Sequence, residues 1–167
     1  MKYLIILLLL MAVFGCSRKG MTLEQVQSVK LEVQALLDTF ITSAQKLETT
    51  AMEQYLGDDP QLRFYIQGKA YRKAELISLF KELYAPLESQ KLQVIEQKIT
   101  VLSPEAAVWT AIASSLQTKK DGGVGALNLT ETWLWQKLED KWVVTHYHES
   151  FRDALPPQPE DSAFQQS

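Results

Sequence analysis

The sequence predicts an α+β domain in which helices come first and a curved antiparallel sheet follows. In the first half of the chain, apolar residues recur at helical spacing, and from Leu92 onward the pattern changes to long runs of strand formers. Short connections join those runs, which indicates an antiparallel meander. Helices that precede such a sheet cover one of its faces, so we expect a cone-shaped sheet packed on three N-terminal helices, with a cavity at its open end.

Size and charge narrow the class of protein further. The 167 residues suit one domain with a proper core, and the formal net charge of −3 gives no basic surface for a nucleic acid. The single cysteine excludes an intramolecular disulfide.

The N-terminus has the pattern of a targeting signal. Lys2 precedes the apolar run Tyr3–Phe14, which has the length of a secretory h-region and is short for a membrane span. The run leads to Cys16 in a segment that resembles a bacterial lipobox. The resemblance implies that residues 1–15 are a signal peptide, that Cys16 is lipidated, and that the protein faces the periplasm. Ser17 favours sorting to the outer membrane. An ordinary secretory signal and an uncleaved anchor are the alternatives.

Three helices are expected after a short tether at residues 16–21. Thr22 can cap the first helix, with Gln25 completing a capping box, and the apolar stripe continues to Lys46 or Leu47. The second, short helix carries Met52, Tyr55 and Leu56, and the third spans Lys73 to Tyr84 before Pro86.

The remaining elements are strands. A short strand from Leu62 to Ile66 precedes a turn at Gly68, and four long strands follow: Leu92 to Leu102, Ala106 to Gln117, Leu127 to Leu138 and Lys141 to Phe151. The domain is therefore expected over residues 22–152, and the proline-rich residues 153–167 are expected to be a disordered tail.

Several motifs carry a resemblance to a known family. They are Gly68 before the third helix, Glu105 to Val108 entering a strand, Glu131 to Trp135, and Lys141-Trp142 leading into His146 to Ser150. Together with the order of elements, they resemble the nuclear transport factor 2-like superfamily, and the SnoaL-like group most. The association domain of calcium/calmodulin-dependent protein kinase is also similar, most clearly over the last two strands.

The resemblance implies a cystatin-like curved sheet with a pocket between its concave face and the helices. It also implies a homodimer formed through the sheet. It does not imply one activity, because the superfamily includes isomerases, dehydratases, cyclases and assembly hubs.

Strict alternation assigns the residues of the last strand to two faces. One face carries Trp142, Val144, His146, His148 and Ser150, and the other carries Val143, Thr145, Tyr147, Glu149 and Phe151. Similarity to the kinase association domain implies that Tyr147 and Glu149 face the cavity. Glu149 stands where that domain has a basic residue, which argues against an anionic ligand.

We predict a ligand pocket lined by Trp109, Ala113 and Ser115 together with Tyr147 and Glu149. Small side chains leave volume, and an indole supplies an aromatic wall for a small apolar ligand. Trp133 and Trp135, with Glu131 beside them, are interpreted as core or interface residues.

The two histidines allow three interpretations. His146 and His148 could bind a metal with a carboxylate such as Glu131, could act as general bases, or could pack at a sheet interface. The packing interpretation is favoured, and neither a metal nor a cofactor is predicted.

The leading hypothesis is a lipid-anchored envelope protein with a non-catalytic small-molecule-binding or assembly module. One alternative is a small acid–base isomerase or hydratase that uses His146, His148, Glu149 or Tyr147. The other is a structural envelope protein whose pocket is filled by its own side chains.

Overall fold

A computed structural model describes residues 20–154 of the chain. Within that range the helices are α1 (Leu23–Gln45), α2 (Thr49–Glu53) and α3 (Lys73–Tyr84). The strands are β1 (Phe64–Ile66), β2 (Lys69–Tyr71), β3 (Leu87–Ser103), β4 (Ala106–Lys119), β5 (Val124–Leu138) and β6 (Lys141–Ala154). The predicted signal peptide, Cys16 and residues 155–167 of the predicted tail lie outside the described residues, whereas Asp153 and Ala154, also assigned to the tail, belong to β6. No helix among residues 20–154 is both long enough and apolar enough to cross a membrane.

The strands form one six-stranded sheet in the order β2-β1-β6-β5-β4-β3. Strands β3 to β6 pair antiparallel in sequence order, as the meander pattern predicts, whereas β1 lies parallel to β6. Helix α1 packs against β3 and β4 on one face of the sheet. The predicted α+β class, with a curved sheet on N-terminal helices, is confirmed.

Helix α1 begins where local chemistry predicts it. The Thr22 hydroxyl accepts a hydrogen bond from the Gln25 backbone N–H at 3.2 Å, and the Gln25 side chain accepts one from the Thr22 N–H at 2.9 Å. This reciprocal arrangement is the predicted capping box. The helix buries one stripe, comprising Val29, Val33, Leu37, Phe40, Ser43 and Ala44.

Strand β2 is absent from the sequence-based prediction. Gln67 and Gly68 have φ angles of 50° and 75°, so they make a tight two-residue turn that brings Lys69 opposite Ile66. The three residues of β2 are exposed or half-buried and show no alternation of apolar and polar side chains. Only their pairing with β1 identifies them as a strand. Strand β3 also begins at Leu87 rather than Leu92, directly after the proline that follows α3.

A bulge in β6 corrects the predicted faces of that strand. Leu134 pairs with His146 but Trp135 pairs with Val144, which leaves Thr145 as an extra residue. Val144 therefore lies on the same face as Tyr147, together with Trp142. The strict alternation that placed these two residues with the histidines is wrong.

The bulge has a clear backbone partner. The Val144 N–H donates to the Tyr55 carbonyl at 2.7 Å, and the Val144 carbonyl accepts from the Gly57 N–H at 3.0 Å. A Cβ at Gly57 would lie 2.6 Å from Leu62 Cδ1, so a larger residue there would require the Leu62 side chain to move. These two hydrogen bonds join the loop after α2 to β6, and β1 follows this loop in the chain.

Candidate functional site

A cavity of about 150 Å³ lies between the concave face of the sheet, the C-terminal half of α1 and the end of α3. Most of its lining is apolar and much of it is aromatic, including Phe40, Phe80, Trp109, Trp133 and Phe151. The aromatic rings meet edge to face, with centroids 4.5 Å apart for Phe40 and Trp133 and 5.1 Å apart for Trp109 and Trp133. A cavity of this volume accommodates about one six-membered ring.

All five residues of the predicted pocket border this cavity. Trp109, Ala113 and Ser115 reach it from β4, and Tyr147 and Glu149 reach it from β6. Their position is now known, whereas ligand binding by them stays a prediction. The two histidines lie on the opposite face of β6: His146 is half-buried, with its ring centroid 5.5 Å from that of Tyr65, and His148 is exposed.

The cavity exists because β4 carries small side chains at its wide end. Ala113 and Ser115 are 3% exposed, yet their side chains are too short to fill the space beneath α1. Gln90 of β3 braces this region. Its amide oxygen accepts from Ser115 Oγ at 3.3 Å and from Gln117 Nε2 at 3.1 Å, and its amide nitrogen donates to the Ala44 carbonyl at 3.1 Å.

Two carboxyl groups meet inside the cavity. Glu131 of β5 pairs directly with Glu149 of β6, and both side chains line the cavity. Cβ atoms of directly paired residues lie about 5 Å apart, so the two carboxyls are neighbours. The Tyr147 hydroxyl donates a hydrogen bond to Glu149 Oε2. Among the described residues, no lysine, arginine or histidine lines the cavity.

The environment shifts the ionisation of this cluster. Burial raises the pKa of Glu131 to about 8, with a further contribution from the charge of Glu149. Burial likewise raises the pKa of Glu149, although the Tyr147 hydrogen bond opposes this. Both side chains are half-buried, because part of each side chain borders the cavity and the rest packs against the protein. The two carboxyls titrate as a coupled pair, and near neutral pH the pair retains a proton.

Two phenols border the carboxyl pair. Burial, reinforced by the charges of Glu149 and Glu131, raises the pKa of Tyr147 well above its usual range. Burial also raises the pKa of Tyr84, on α3, to about 12. Both phenols are therefore neutral near pH 7 and are available as hydrogen-bond donors.

The indole N–H of Trp133 is buried, and among the described residues it has no acceptor at hydrogen-bonding geometry. It nevertheless lies close enough to Glu131 to lower the pKa of that carboxyl somewhat. The two groups are therefore neighbours without a well-formed hydrogen bond between them. An unsatisfied buried donor beside a carboxyl is unusual, and an ionised Glu131 would be a suitable acceptor for it.

Sequence reasoning did not include Glu131, Tyr84 or Gln90 in the pocket. A signal for Glu131 was present, because it shares strand parity with Trp133 and Trp135. The sequence-based interpretations place Glu131 beside the core or interface residues Trp133 and Trp135, or make it a metal ligand with the histidines, which lie on the other face. No group of three or more histidine, cysteine or acidic side chains within residues 20–154 is arranged to hold a metal ion.

Comparisons with known proteins agree with this architecture. The family model described as "Calcium/calmodulin dependent protein kinase II association domain" matches residues 29–153. A search of curated proteins found no match.

Solved structures with the same fold include two instructive relatives. A nuclear transport factor 2-like protein from Salmonella enterica is 18% identical, with a TM-score of 0.67 over 81% of this chain and 98% of that one. Hexachlorocyclohexane dehydrochlorinase LinA-type3 from Novosphingobium barchaimii is 10% identical, with a TM-score of 0.66 over 81% of this chain and 100% of that one. Identities this low indicate a shared fold alone. The chain belongs to the calcium/calmodulin-dependent protein kinase II association domain family, and it shares the nuclear transport factor 2-like fold.

Proposed function

We propose that this chain is a lipid-anchored envelope protein whose domain binds a small, largely apolar molecule in the cavity. The cavity of about 150 Å³ is the observation that carries this proposal. Its walls are aromatic and aliphatic, and its few polar groups converge on Glu131 and Glu149, a combination typical of small-molecule sites. The same volume argues against a purely structural protein whose pocket is filled by its own side chains.

Ligand-observed NMR with a panel of one-ring compounds tests the proposal. Ala113→Leu would fill the cavity from β4, whereas Ala70→Leu makes the same change on the exposed strand β2. We expect binding to the natural protein and to Ala70→Leu, and loss of binding in Ala113→Leu. Equal binding by all three proteins, or no binding by any of them, would contradict the proposal.

A second candidate function is acid–base catalysis, and the paired carboxyls favour it. A pair that holds one proton offers an acid and a base side by side, which suits removal and return of a proton next to a carbonyl group. Glu149, held by Tyr147, is the better-oriented base. The dehydrochlorinase with the same fold is an enzyme, but at 10% identity the similarity supports a shared fold and not a shared activity.

Proton exchange separates catalysis from simple binding. With cyclohexanone in D₂O, a catalyst would speed deuterium incorporation next to the carbonyl, as followed by NMR. Glu149→Gln would abolish that acceleration, and Glu96→Gln, on an exposed stretch of β3, would retain it. A rate equal to that of buffer would leave the non-catalytic function in place.

Membrane fractionation tests the proposed lipid anchor at Cys16. Cys16→Ala should move the protein from the membrane fraction to the soluble fraction, whereas Ser17→Ala should not.

A homodimer would form through the convex face of the sheet, where Ile112 is 45% exposed. Ile112→Lys should halve the mass measured by light scattering. Leu31→Lys, on the exposed side of α1, should leave the mass unchanged.

A further inference from the structure

The carboxyl pair lacks a positive charge. Glu131 and Glu149 are paired across β5 and β6, and the cavity lining among the described residues includes no cationic side chain. Desolvated carboxylates are costly unless they are paired with a cation or protonated. The protein meets that cost by retaining a proton, since burial raises the pKa of both groups. A ligand that supplies a positive charge could replace this proton.

The walls beside the pair suit a cation that has an apolar body. Trp133 stands at the centre, with ring centroids 4.5 Å from Phe40 and 5.1 Å from both Trp109 and Tyr147. Aromatic faces attract ammonium groups, and the attraction grows when the site is desolvated. The remaining lining is mainly aliphatic and offers no counter-charge for an anion.

The Trp133 N–H provides a second, independent observation. It is buried, unpartnered and next to Glu131, so it is satisfied best when Glu131 is ionised and turned toward it. A cation bound between the carboxyls would favour that ionised form. The buried Trp135 N–H, outside the cavity lining, also lacks an acceptor among the described residues, so it is the position of the Trp133 N–H beside Glu131, and not its lack of a partner, that fits a cation site.

We propose that the cavity binds an organic cation composed of one apolar ring and one short ammonium arm, with the ring against Trp109 and Trp133 and the ammonium between Glu131 and Glu149. This inference rests on the proposed small-molecule function and specifies its ligand class. The volume limits the apolar part to about one six-membered ring.

Binding of such a cation is coupled to pH. The titratable groups that face the pair are the two carboxyls themselves, Tyr147 on β6 and Tyr84 on α3; the lining from α1, β3 and β4 includes none. The phenols stay neutral, so the pair alone titrates. Affinity for the cation rises with pH as the pair loses its retained proton, and binding releases protons to the solvent.

Three one-ring probes test the proposal on the natural protein: benzylammonium, neutral benzyl alcohol and anionic benzoate. By calorimetry at pH 8, we expect benzylammonium to bind about tenfold more tightly than benzyl alcohol, a difference typical of a partly desolvated cation site. The preference should shrink toward pH 6, and calorimetry in buffers of different ionisation enthalpy should show proton release. Benzoate should not bind.

The outcomes separate this inference from the function beneath it. Equal affinity for benzylammonium and benzyl alcohol would overturn the cationic ligand class and leave small-molecule binding intact. No binding of any probe would overturn both. In the variant that combines Glu131→Gln and Glu149→Gln, benzyl alcohol binding should persist while the preference for the cation disappears. Glu96→Gln should keep the preference, and its loss there would also contradict the proposal.

Discussion

The two ends of the concave face differ although the same four strands build both. At the closed end, beneath the N-terminal half of α1, Trp135 and Val144 are fully buried against the loop after α2. At the open end, beneath the C-terminal half of α1, Ala113 and Ser115 leave a cavity that Glu131 borders. Side-chain volume along a strand therefore decides whether a curved sheet makes a core or a pocket.

The two ends of the concave face also differ in the partners of their acidic side chains. At the closed end the Trp142 N–H donates to Glu32 Oε2 at 2.8 Å, and Lys137 Nζ lies 3.2 Å from the same oxygen. At the open end Glu131 and Glu149 have no cationic partner among the residues that the structure describes. The Trp135 N–H at the closed end is buried without an acceptor among the described residues, as is the Trp133 N–H at the open end. The two ends differ instead in their carboxylates, because Glu32 has a cationic neighbour and the Glu131–Glu149 pair has none among the described residues, so that a ligand could supply one.

Truncation should have its largest effect at the closed end. Trp135→Ala removes a fully buried indole and is expected to lower the free energy of unfolding by about 3–5 kcal/mol, measured by guanidinium denaturation. Phe151→Ala, at the half-buried rim of the cavity, should cost much less because the space is already open. Equal losses at the two positions would remove the distinction between core and pocket.

The open end should govern the pH dependence of stability. Burial raises the pKa of Glu131 from 4.5 to about 8, so between these values the folded chain holds a proton that the unfolded chain has lost. Stability should therefore fall as pH rises through this interval.

Glu131→Gln should remove this fall in stability with rising pH, because glutamine does not titrate. We expect it to raise the free energy of unfolding by about 2 kcal/mol at pH 8, a discounted value because the Glu131 side chain is only partly buried, and to have little effect at pH 4. Urea denaturation at the two pH values measures both effects. The same pH slope in Glu131→Gln and the natural protein would refute this account of Glu131, and Glu96→Gln serves as the control.

A smaller effect is expected from the polar link at the closed end. Trp142→Phe keeps the ring against the core but removes the N–H that donates to Glu32, so it should cost about 1 kcal/mol. The hydrogen bond from Trp142 and that from Lys137 both hold the pKa of Glu32 below its usual value. NMR titration of Glu32 should accordingly show a higher pKa in Trp142→Phe. No change in this pKa would argue against the hydrogen bond.

The smallest effect concerns the turn between β5 and β6. Glu139 and Asp140 both adopt positive φ angles, of 50° and 63°, which asparagine and glycine tolerate better. Replacing the two residues by Asn and Gly should stabilise the chain by about 0.5–1 kcal/mol in thermal unfolding. Gly68→Ala, at φ 75° in the β1–β2 turn, should act in the opposite direction. Its Cβ would contact nothing within 4 Å, so the backbone alone would cause the change.

The helices and the four long strands are predictable from the sequence, because the causes of these elements are local. The capping box at Thr22, the turn residues and the change from helical to alternating periodicity predict the helices and the four long strands. Alternation over Tyr147, Glu149 and Phe151 also places these three on one face, since no irregularity separates them. Strand β2 escaped prediction because its residues pair without burying an apolar face.

The bulge in β6 and the pairing of Glu131 with Glu149 depend on contacts between distant parts of the chain. The extra residue at Thr145 moves Trp142 and Val144 onto the concave face, and the bulge is hydrogen-bonded to the backbone of Tyr55 and Gly57, which lie far away in the chain. The meeting of Glu131 with Glu149 depends in the same way on the register between two strands. Pairing across strands is non-local, so single-strand periodicity cannot determine it.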